Sequence, residues 1–145
     1  MSSPFKLQIF VIANDVDSSN VDGSYISLQS SGDGQDVLQI VSHATDASFF
    51  TLASKGFLQS NNEAAGISAG EFSVNLVMQS EDTISGGFTK SVCQNSGGVL
   101  TCATGSNVIF FTCDKVPNAF VEVGPIGSAD NAGCVEFLLL VVWGK

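Results

Sequence analysis

The segment SVCQNSGGVLTC, residues 91–102, constrains this chain more than any other stretch. Gly97-Gly98 is a favoured two-residue hairpin loop, because primed turns need positive φ, which glycine adopts without a Cβ clash. With the turn there, Ser96 faces Val99, Asn95 faces Leu100, Gln94 faces Thr101 and Cys93 faces Cys102. Counted outward, the cysteines fall at a non-hydrogen-bonded position, where Cα atoms approach to about 4.5 Å, at the short end of disulfide reach. They are too far apart along the chain for a redox CxxC or for the close spacing of zinc-ligand pairs. A structural staple is the expectation.

Four cysteines allow three pairings. The hairpin selects Cys93–Cys102 and leaves Cys113–Cys134. The alternative is four reduced thiols buried in a core, where free cysteine is common. Two disulfides place the chain in an oxidising compartment.

Around the hairpin, apolar residues fall in short runs broken by Gly, Ser, Asn and Asp, and helical spacing is absent. FKLQIFVIA (5–13) sets Phe5, Leu7, Ile9 and Val11 on one face, while the other passes from Lys6 and Gln8 to Phe10 and Ile12, as if one end were covered. SYISLQS (24–30), VLQIVS (37–42), FSVNLVMQS (72–80), NVIFFTCD (107–114) and AFVEVG (119–124) read as further strands. SFFTLASKGFLQS (48–60) reads as a hairpin with Gly56 in the left-handed position, and VEFLLLVVW (135–143) as a central strand buried on both faces. NNEAAGISAGE (61–71) is the one place for a long loop or short helix. The expectation is a single all-β domain over residues 1–145, a flattened β-barrel or antiparallel β-sandwich of about ten strands, with a β-trefoil as the alternative. The two longest apolar strands, at 5–13 and 135–143, are expected in the centre of a sheet and near one another.

Function classes narrow by exclusion. Fourteen acids against five cations give a formal charge of −9, and every cation is lysine. Without arginine forks, such a chain is a poor partner for nucleic acid or anionic membranes. The apolar run at 137–143 is too short to span a bilayer as a helix. Met1-Ser2-Ser3-Pro4 leads straight into a strand pattern, so no leader is legible, and no Asn-x-Ser/Thr acceptor occurs.

Catalytic patterns are thin. His43 is the only histidine and reads as a turn residue; Ser68, in GISAG, lacks a nucleophile elbow. Fourteen acids make a carboxylate pair possible by chance, but one Trp and one Tyr offer little stacking surface for a sugar. In NDVDSSNVDG (14–23), Asp15, Asp17 and Asp22 are a weak calcium candidate. As an EF-hand the loop fails, with Asn20 at the glycine position and Ile26 at the terminal Glu position, and a solvated acidic turn is the simpler reading. No cofactor and no enzyme activity are expected.

From Phe49 onward the order FFTLASKGFLQS, VLTC, NVIFFTCDKVPNAFVEVG, GCVEFLLLVV resembles a family of small secreted ascomycete proteins. The family includes phiA-type cell-wall proteins, related fungal IgE-binding antigens and protein elicitors of the plant hypersensitive response. The shared pattern is a strand ending in cysteine, a V-x-V-G strand, a polar loop, and a cysteine opening an apolar final strand. That pattern places Cys113 before Phe120–Gly124 and Cys134 before Phe137, and supports the Cys113–Cys134 pairing. Small size and two disulfides are most similar to the rice-blast type of elicitor. The resemblance implies a secreted, monomeric, non-enzymatic protein recognised by an unidentified plant cell-surface or apoplastic receptor. Its recognition surface would be the loops 14–23, 30–36, 61–71 and 125–133. A fungal wall-associated structural or carbohydrate-binding role is the alternative, and a divergent hydrolase or hydrolase inhibitor a further one.

Overall fold

The computed structural model describes residues 3–11, 21–30, 35–68, 74–80, 87–113, 119–128 and 134–143. Within them the chain is all-β, with fourteen strands in one antiparallel sheet and a single 3-10 turn at Ala44–Asp46. The strands are β1 (Phe5–Val11), β2 (Tyr25–Ser30), β3 (Gln35–Val41), β4 (Thr51–Leu52), β5 (Leu58–Ser60), β6 (Glu63–Ser68) and β7 (Val74–Asn75). They continue with β8 (Val77–Ser80), β9 (Phe88–Lys90), β10 (Val92–Ser96), β11 (Val99–Ala103), β12 (Ile109–Thr112), β13 (Glu122–Gly124) and β14 (Val135–Trp143).

The longest apolar strands do lie side by side. β1 and β14 pair in register from Phe5↔Trp143 to Val11↔Phe137. Alternation along β1 sends Phe5, Leu7 and Ile9 inward, where each is at most 1% exposed. Val135, Phe137 and Leu139 of β14 lie on the same inner face. Burying one such side chain contributes roughly 1.5–3 kcal/mol. Leu38, Ile40, Leu58, Met78 and Leu100 join this core from β3, β5, β8 and β11.

One sheet encloses this core because β1 and β14 each share an edge between two partners. The second edge of β14 pairs with β12 through Val135–Phe137 and with β11 through Leu139 and Leu140. The second edge of β1 meets β2 at Gln8 and, at its start, Phe50, with Phe5 N–H to Phe50 O at 2.9 Å and Phe50 N–H to Phe5 O at 2.7 Å. Residues 119–121 are stitched to β3 by Ile40 N–H to Ala119 O, 2.9 Å, and Val121 N–H to Leu38 O, 2.8 Å. These returns are isolated bridges. The ladder itself does not close into a barrel, because its path ends in the two-residue strands β4 and β7, which do not pair with each other. The architecture is therefore a folded, sandwich-like sheet.

Fourteen strands exceed the ten or so expected for three local reasons. The run 72–80 breaks at buried Leu76, where the chain leaves β13 (through β7) for β3 and β6 (through β8). The run around 88–96 breaks at buried Ser91, whose Oγ lies 2.6 Å from Thr104 Oγ1. Finally, residues 63–68 form β6, which pairs with β5, β8 and β9 in place of the loop or helix expected. Its Ala64, Ala65 and Gly66 are small because neighbours press close: a Cβ on Gly66 would sit 2.6 Å from the Phe88 ring and collide with the Thr89 carbonyl.

Two further expectations are corrected. Phe10 is 49% exposed and so not covered, and Ile12 lies outside the described residues. β14 is buried on one face only, with Glu136, Leu138 and Leu140 half-buried on the other.

Candidate functional site

Both disulfides form as expected. Cys93 and Cys102 are directly opposed in the β10–β11 ladder, with Cα atoms 4.0 Å apart. The Gly97-Gly98 turn has φ of 65° and 96°, and its register is the one the sequence implies. Cys113–Cys134 continues the β12–β14 ladder one step beyond Thr112↔Val135, with Cα atoms 3.9 Å apart. Each bridge thus ties two residues that the sheet already brings face to face.

The β10–β11 hairpin is an exposed polar element built on this frame. Gln94, Asn95, Ser96 and Thr101 face solvent, while Cys93 and Leu100 turn into the core. Asn95 Oδ1 accepts the Gly98 N–H at 2.8 Å, and Gln94 Nε2 donates to Ser96 Oγ at 3.1 Å. One side of the hairpin is anchored to β14 by Val141 N–H to Gly98 O, 2.8 Å, and the other by Cys93 N–H to Gly56 O, 2.7 Å. That approach requires glycine at position 56, where φ is +88° and a Cβ would lie 2.8 Å from the Cys93 carbonyl oxygen. Lys90 adds a cation–π contact, its Nζ 4.6 Å from the Phe57 ring centroid.

A second feature is an aromatic groove of about 600 Å³ lined by Ser3, Pro4, Phe49 and Trp143. Phe49 and Trp143 are each about half-exposed. Trp143 is backed edge-on by Phe5 with centroids 5.5 Å apart. Phe49 is backed by the Lys6 ammonium, 5.0 Å from its ring centroid, which also donates to Ala44 O at 2.7 Å. Both rings are held by contacts behind them, which lowers the entropy a ligand would have to freeze out.

The third feature was not legible beforehand. Asp36 of β3 and Glu63 of β6 lie on the core side of the sheet, on either side of β8. Glu63 Oε1 is sealed from solvent and finds no N–H or hydroxyl donor. Burial first, then the hydrogen bond and negative charge of Asp36, push the Glu63 pKa up to about 7.

The remaining sequence candidates disperse. His43 is exposed just before the 3-10 turn, its carbonyl accepting Asp46 N–H at 3.0 Å. Ser68 ends β6 in a cleft of about 240 Å³ shared with Gln35, Asn75 and Gln79, and His43 does not line it. Asp22 Oδ1 accepts Val11 N–H at 2.9 Å and so finishes the end of β1. Asp15 and Asp17 lie outside the described residues, and among those described no cluster of three metal-ligating side chains occurs.

Of the proposed recognition loops, 61–71 is corrected, since 63–68 is a mostly buried strand. Of 125–133, residues 125–128 form a turn closed by Ser128 Oγ to Pro125 O, 2.6 Å, which leaves Ile126 84% exposed. Loops 14–23 and 30–36 fall largely outside the described residues.

What this geometry defines is an all-β domain with two disulfides. Two disulfides are compatible with an extracellular protein, and among the described residues no helix is long and apolar enough to cross a membrane. Comparison with protein-family models, with characterised proteins and with solved structures finds no match.

Proposed function

We propose that this chain is a secreted, non-enzymatic recognition protein of the small ascomycete type, an elicitor or effector sensed by plant cells at a surface or apoplastic receptor. The observation that carries this reading is the placement of the disulfides on an all-β frame, one on directly opposed residues of β10 and β11 and the other one step beyond the β12–β14 ladder, with a polar hairpin built on it. A frame fixed in this way presents loops and turns at little ordering cost to a partner. The sequence pattern from Phe49 to Val142 supplies the family context.

The test is infiltration of purified, folded protein into leaves. Local cell death and defence-gene induction are expected at doses where buffer and a heat-aggregated sample give none; absence of any response overturns the reading.

The Phe49–Trp143 groove favours a second reading, binding to wall polysaccharide through aromatic stacking. Retention on insoluble glucan or chitin that is lost in Trp143→Ala would support it. Equal retention of both proteins would remove the groove from the account.

A further inference from the structure

We propose that the Asp36–Glu63 pair is an acid-side clasp: one shared proton bonds β3 to β6 across β8, and its loss opens that end of the sheet. The argument starts from register. Asp36 and Ala65 both pair with Met78, so they share one row across β3, β8 and β6. Glu63, two residues before Ala65, projects to the same face beside Ser60 and Ser80. That face is the core side, since Met78 and Ala65 are fully buried.

Two ionised carboxylates only repel, so a hydrogen bond between them requires that one keep its proton. Among the described residues, every other group facing the pair is neutral: Ser30 from β2, Ser60 from β5, Met78 and Ser80 from β8, and Ala65 from β6. Among the described lysines, Lys6 is held at Ala44 and Phe49, Lys55 is exposed in the turn between β4 and β5, and Lys90 lies on the opposite face, opposite Gly66 and over Phe57. The segments continuing from Ser30 and Ser80 add Asp33, Glu81 and Asp82 to the sequence and no cation. Loss of the proton would leave two charges, with no cation facing them among the described residues, beside a sealed oxygen.

Burial and Asp36 together set the relevant range, since they raise Glu63 from 4.5 to about 7. An acid whose pKa is higher folded than unfolded holds more protons in the folded state between the two values. Its stabilisation is complete below about pH 4.5 and is lost as pH rises through 7. The clasp therefore suits a protein that works in an acidic medium and loosens in a neutral or alkaline one.

The test is melting temperature against pH for the wild type, Glu63→Gln and, as a charge-matched control, Asp46→Asn on the exposed 3-10 turn. After discounting for partial exposure, the clasp should account for a wild-type fall of about 5 °C between pH 5 and pH 8. Glu63→Gln, whose amide donates to Asp36 at every pH, should remove that component and melt above the wild type at pH 8. Asp46→Asn should keep the wild-type slope. An unchanged slope in Glu63→Gln, or equal flattening by Asp46→Asn, overturns the proposal. If Glu63→Gln does not fold, the wild-type Glu63 side-chain carboxyl carbon is titrated by NMR: a midpoint near 7 supports the clasp and one near 4.5 refutes it.

Discussion

Removing the Cys113–Cys134 bridge tests how much of the frame depends on chain connectivity. The bridge closes a loop of 21 residues, and the chain-entropy relation assigns such a loop about 3 kcal/mol at 25 °C. Cys113 is exposed and Cys134 half-buried, so Cys113→Ala with Cys134→Ala empties little core and the loop effect dominates. Cys93 is only 6% exposed, and its replacement would mix packing loss into the result. For 145 residues the entropy of unfolding is about 0.3 kcal/mol per degree, which converts the loss into a melting-temperature drop of about 10 °C. Thermal unfolding at pH 5, followed by near- and far-UV circular dichroism, measures it. The native far-UV spectrum should superimpose on that of the wild type, because the effect acts on the unfolded chain. A drop below 3 °C, or a changed native far-UV spectrum, would refute the reasoning.

Three other outcomes follow from named contacts. Gly66→Ala drives a methyl group into the Phe88 ring and the Thr89 carbonyl and should cost about 2–3 kcal/mol, read as a lower urea midpoint with unchanged slope. Leu7→Ala, at a fully buried position on β1, should cost about 2–5 kcal/mol in the same titration. Gly98→Ala meets open space but a φ of 96°, so strain alone should cost about 1–2 kcal/mol, well below the cost of Gly66→Ala.

Where sequence reading succeeded, a local rule sufficed. Gly97-Gly98 sets its own turn, and counting outward reaches the Cys93–Cys102 bridge without tertiary information. Strict alternation in Phe5, Leu7 and Ile9 gave the buried face of β1, and length with apolarity put β1 and β14 near one another in the sheet, where they pair directly. Where it fell short, the deciding facts were non-local. Ala64, Ala65 and Gly66 have weak strand preference, and only pressure from β5, β8 and β9 makes them a strand. Leu76 and Ser91 look like mid-strand residues but are points where the chain changes partners. Asp36 and Glu63 are 27 positions apart in the sequence. They meet because β8, from later in the chain, inserts between their strands. The Phe49–Trp143 groove likewise joins residues from opposite ends of the chain, through the β1–β14 pairing and the Phe5–Phe50 bridge.

The central claim is that plant cells sense the folded, oxidised surface of this protein. A dose series in leaves comparing native protein with a reduced and alkylated sample tests it most directly. The account predicts cell death from the native form and none from the alkylated chain at the same dose. Equal responses would contradict it, because recognition would then reside in a linear stretch of sequence.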